Sequence, residues 1–98
     1  MIQAYLVTSD TVLTPEETDI YLSIREEKFG IVKEYPQLTI LQDDDSVLSK
    51  NAELGVVKSL TDANIFLIEL QKVFPKYNWR IEIKNYPNAK EITWYEKG

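Results

Sequence analysis

Neither histidine nor cysteine occurs anywhere in the 98 residues. The two side chains that most often carry neutral-pH proton transfer, thiol chemistry and zinc ligation are therefore missing, and no disulfide framework can form. Glycine is sparse, with three residues scattered along the chain, so there is no glycine-rich loop to cradle a phosphate and no G-x-S-x-G nucleophile elbow. No apolar run approaches the roughly 20 residues that span a bilayer, and Met1-Ile2-Gln3-Ala4 lacks the basic flank and apolar stretch of a secretory signal. These absences predict a soluble, cytoplasmic protein without a cofactor or a metal.

What is present is an ordinary globular composition with an acidic excess: 44% hydrophobic and 28% charged residues, net charge −5. A chain of this length suits one domain, residues 1–98, with one core. The charge is uneven. Residues 1–49 hold Arg25, Lys28 and Lys33 against ten carboxylates, a balance of −7, whereas residues 50–98 hold eight basic and six acidic groups, a balance of +2. A phosphate backbone would be repelled by the first half, which argues against nucleic acid as a ligand and favours a protein partner with a basic surface.

The hydrophobic pattern predicts a strand over 2–8, apolar on both faces and so central in its sheet. Thr14-Pro15-Glu16-Glu17 is a helix start with cap, proline at the first helical position and capping-box glutamate. Ile20, Ile24, Lys28, Ile31 and Tyr35 keep helical spacing through Gly30, so the helix is expected to run to about Glu34, although Gly30 is an alternative stop, and Pro36 ends it. A second strand covers 37–42 and an extended connection 43–53, with a doubtful strand at 54–58. A second helix, capped by Ser59 or Thr61 and ended by Pro75, follows. Trp79-Ile81-Ile83 and Ile92-Trp94 alternate around a turn at Pro87-Asn88, which predicts a C-terminal β-hairpin with Lys84 opposite Glu91, Ile83 opposite Ile92, Ile81 opposite Trp94 and Arg80 opposite Tyr95.

The order β-α-β-(β)-α-β-β is that of an α+β domain of the ferredoxin-like split βαβ kind, with two helices on one face of a mainly antiparallel sheet. A fold so widely used does not itself indicate an activity.

Three groups of residues stand out as candidate sites. Asp43-Asp44-Asp45 offers oxygen ligands, but Val47 and Leu48 stand where a calcium loop would carry a further oxygen donor and glycine, which points to a solvated acidic loop. Glu16, Glu17, Asp19, Glu26 and Glu27 lie along the first helix and, with Asp43, Asp44 and Asp45, form the first candidate surface for a basic partner. Arg80, Lys84, Tyr86 and Tyr95 on the outer hairpin face form the second, since arginine and tyrosine are enriched at interface hot spots. The expected function is protein binding, of an inhibitor or immunity type. Self-association through the strand edge Glu91–Tyr95 and a carboxylate- or metal-dependent enzyme are the alternatives.

Overall fold

The computed structural model describes residues 1–50 and 54–97. They form a small α+β unit in the order β1 (Ile2–Ser9), α1 (Pro15–Phe29), β2 (Leu38–Gln42), β3 (Val47–Lys50), β4 (Val56–Val57), α2 (Leu60–Val73), β5 (Trp79–Tyr86) and β6 (Ala89–Trp94). The strands divide into two antiparallel sheets of three, β4-β1-β5 and β3-β2-β6. A split βαβ unit needs a parallel pair bridged by a helix. Every strand pairing among the described residues is antiparallel, and the single sheet expected from the element order is replaced there by two.

The C-terminal hairpin is the clearest departure from the sequence expectation. The turn at Pro87-Asn88 is present, but β5 pairs with β1 from Ile2 opposite Tyr86 to Ser9 opposite Trp79, and β6 pairs with β2, with Leu38 opposite Trp94 and Ile40 opposite Ile92. The alternation that suits two strands to each other suits them equally to other strands of the same period. β1, apolar on both faces, offers β5 a partner along its whole length of eight residues, and the turn carries the chain from one sheet into the other. Arg80 therefore does not face Tyr95. It pairs with Asp10 and with Glu82.

The first helix stops earlier than its spacing predicts. Gly30 adopts the left-handed conformation, φ 72°, and its N–H donates to the Glu26 carbonyl at 2.8 Å, a conformation open to glycine at little cost. The next residues leave the helix to run beside the C-terminus: Val32 N–H donates to the Tyr95 carbonyl and Lys97 N–H to the Gly30 carbonyl, both at 2.7 Å. Within the expected connection 43–53, Val47–Lys50 is a strand and residues 51–53 lie outside the described residues. The doubtful strand at 54–58 is present as the two residues of β4.

Burial on both faces of β1 unites the layers. On one face Val7 opposite Ile81 and Ser9 opposite Trp79 lie beneath the helices, where Trp79 stacks on Tyr21 of α1 and meets Phe74 after α2, both with ring centroids 6.0 Å apart. Phe66 and Leu70 of α2 are fully buried there. On the other face Ala4 and Val56 are fully buried, and Trp94 of β6 donates its indole N–H to the Val56 carbonyl at 2.9 Å. Among the described residues no helix is long and apolar enough to cross a membrane.

Candidate functional site

The carboxylates of α1 fall into two kinds once their neighbours are known. Glu17 closes the capping box: the Thr14 N–H donates to it at 2.9 Å, and its own N–H donates to the Thr14 hydroxyl at 3.1 Å. The Tyr77 hydroxyl also lies 2.7 and 2.9 Å from the two Glu17 carboxylate oxygens. The Thr14 backbone donor, and after it the Tyr77 hydroxyl, hold Glu17 below the usual carboxylate range, and the same contact raises Tyr77. Glu26 accepts from Lys97 and from the Lys33 N–H and is likewise lowered, Lys97 being the larger cause. Asp19 pairs with Lys33 at 3.1 Å. These three tie α1 to the rest of the fold.

Glu16 and Glu27 are different. Both are exposed and neither enters an ion pair or a side-chain hydrogen bond among the described residues. They share one face of the helix, about 16 Å apart along its axis, with Ile20 between them, 43% exposed. An unpaired carboxylate at each end and an aliphatic side chain in the middle are the components of a small contact surface with a charged rim.

The aspartate triplet builds a turn rather than a site. It closes the β2–β3 hairpin, with Asp45 in the left-handed region at φ 66° and the Gln42 N–H donating to the Ser46 carbonyl at 2.9 Å. Asp44 accepts from the Ser46 hydroxyl and N–H and is lowered by them. Asp45 pairs with Lys90 at 2.8 Å. Asp43 makes no ion pair among the described residues. Among those residues no group of three or more acidic side chains is placed to hold a metal ion. The turn stands at the far end of β2 from the segment that enters it from α1, about 17 Å away along the strand, so Asp43–Asp45 and the α1 carboxylates do not form one surface.

The second predicted patch is also divided. Arg80, Lys84 and Tyr86 lie on β5, while Tyr95 follows β6 in the other sheet, its ring 5.7 Å from that of Tyr35. The residues brought together on β5 are instead Arg80, Glu82 and Lys84, with Glu82 lowered chiefly by its hydrogen bond from Arg80. No family model, curated protein or solved structure matches this chain.

Two features escaped the sequence reading. Arg25, in the middle of α1, is 1% exposed; its two terminal nitrogens donate to the Val56 carbonyl at 2.7 Å and the Pro36 carbonyl at 3.1 Å. Its Nε has no hydrogen-bond partner among the described residues, and burial pulls the guanidinium down to about 10 while the neighbouring Tyr21 opposes the shift. The group stays charged at neutral pH. The second is an open groove of about 340 Å³ at the end of β1, bordered by Val7, Thr11, Leu13, Thr18 and Gly55. Its wall is apolar with a fringe of hydroxyls. The only trace of Arg25 in the sequence is its helical spacing, four residues after the buried Tyr21.

Proposed function

We propose that the chain is a protein-binding module that receives a partner with a basic surface on the outer face of α1. The observation that carries this reading is the triad Glu16, Ile20 and Glu27: two carboxylates left without internal partners on a helix whose other acidic side chains Glu17, Asp19 and Glu26 are engaged. Long-range attraction would raise the association rate and fall with salt, and Ile20 would be the apolar centre of the contact. A cytoplasmic inhibitor or immunity-type protein fits such a surface, and the lack of cysteine is in keeping with a reducing compartment. The carboxylate-enzyme alternative gains no support from Glu17 and Glu26, since both are held ionised, opposite to the raised pKa of a general acid.

The test compares proteins captured from a source lysate by the wild type and by a Glu16→Lys/Glu27→Lys variant, eluted in steps of increasing salt. A basic protein retained by the wild type and lost from the variant is the expected result. Identical capture by both, with the variant shown to be folded, would remove α1 as the contact.

A further inference from the structure

A different surface, independent of the acidic helix face, fits a second copy of this chain. β5 is the outer strand of the first sheet, eight residues long, and among the described residues no strand lies along its outer side. In its interior stands Ile83, 59% exposed. A long edge strand with an exposed aliphatic centre is a template for strand addition, which monomeric proteins blunt with short edges, charged side chains, prolines or bulges. Between Trp79 and Tyr86, β5 has no proline and no register shift against β1, and its charges Arg80, Glu82 and Lys84 carry both signs, so a second copy can meet each with its opposite.

Symmetry restricts how β5 can pair with itself. In an antiparallel pair the two-fold axis stands perpendicular to the sheet between a residue and its own copy, so each register is named by one central residue. Centred on Glu82, the pairing sets Glu82 against Glu82 and Arg80 against Lys84; centred on Lys84, it sets Lys84 against Lys84. Both oppose like charges. Centred on Ile81, only five residues of the strand are matched, around a side chain already packed against the core. Centred on Ile83, seven are matched: Ile83 meets Ile83, Glu82 meets Lys84 on either side of the axis, and Arg80 meets Tyr86.

The helix layer agrees with this arrangement. α2 packs over both β1 and β5, so its axis lies about one strand spacing, ~5 Å, from the two-fold axis, which sets the two copies of α2 about 10 Å apart, the distance at which helices pack. Phe66 and Glu69 of α2 meet Phe29 and Lys28 of α1, which leaves Leu60 and Leu67 on the opposite flank, turned toward the other copy. Leu60 is 51% exposed.

We propose that the protein forms a two-fold symmetric dimer in which β5 pairs with β5 of a second copy, centred on Ile83, joining the two first sheets into one of six strands. The dimer is read by sedimentation equilibrium from micromolar to millimolar concentration, as a rise from 11.4 kDa to twice that mass. Glu82→Lys and Lys84→Glu each set like charges together twice, and each is expected to weaken dimerisation about tenfold or more. Mixing the two variants restores attraction at both positions, so a heterodimer at near wild-type affinity is expected. The Glu82→Lys/Lys84→Glu double variant is expected to dimerise on its own. Circular dichroism confirms that each variant is folded. A wild type that stays monomeric at millimolar concentration would overturn the proposal, as would a dimer that both reversals leave unchanged, or a mixture of the two that fails to associate.

Discussion

Arg25 is a buried cation whose partners are carbonyl dipoles rather than a carboxylate. Two of its donors reach Val56 and Pro36, so one side chain fastens the middle of α1 to β4 and to the corner that leads into β2. Removing it leaves a cavity and a carbonyl at Pro36 that has lost its donor. Arg25→Ala is expected to lower unfolding stability by about 3 kcal/mol, measured by urea denaturation, and Arg25→Met, which refills the space without the charge, by about 1 kcal/mol. A loss for Met as large as for Ala would show that the hydrogen bonds, not the packing, dominate.

At the scale of elements, α1 is held near both its ends by groups that titrate. Glu17 and Glu26 both have folded-state pKa values below their ordinary range. Each therefore contributes stability that is fully present above the unfolded-state pKa and is lost as pH falls through the lower, folded value. The melting temperature is expected to drop on acidification below pH about 4.5, and Tyr77→Phe, which removes the second-largest cause of the Glu17 shift, to make that drop smaller. An acid profile unchanged in Tyr77→Phe would place the effect elsewhere.

The start of α1 was legible because Thr14-Pro15-Glu16-Glu17 encodes its cap within four residues, and the cap forms as read. The end was not, because aliphatic spacing continues through Gly30 while the backbone turns away. Spacing reports a face, and a left-handed glycine overrides it. The last two strands were found in place, yet their partners were not, since period-two alternation sets which side chains share a face and is silent on which strand lies alongside. The candidate site suffered from the same limit: acidic residues near one another in sequence proved to be capping, pairing or turn-forming, and of the acidic residues of α1 only Glu16 and Glu27 were left without an ion pair or side-chain hydrogen bond among the described residues.

Across the whole molecule, the two sheets meet where Trp94 reaches Val56 and where the chain turns at Pro87-Asn88 from β5 into β6. The second sheet owes its position to few contacts with the first, of which the indole N–H bond is the most specific. Trp94→Phe is expected to cost about 1–2 kcal/mol and to act locally. Amide exchange should quicken in β2 and β6 while β1 and β5 keep their protection. Uniform acceleration over all six strands would show that the two sheets open as one unit.

The carbonyl of Val56 receives both the Arg25 guanidinium and the Trp94 indole, on a strand of two residues. Because the shared acceptor is main chain, no choice of side chain at position 56 can supply or withhold it. What must be right is the count of residues that delivers that peptide unit to the junction. Inserting one residue between Gly55 and Val56 would shift the frame and present a carbonyl facing the other way, loosening helix and second sheet together. Packing fixes the buried Val56 side chain, but the junction it serves depends on spacing.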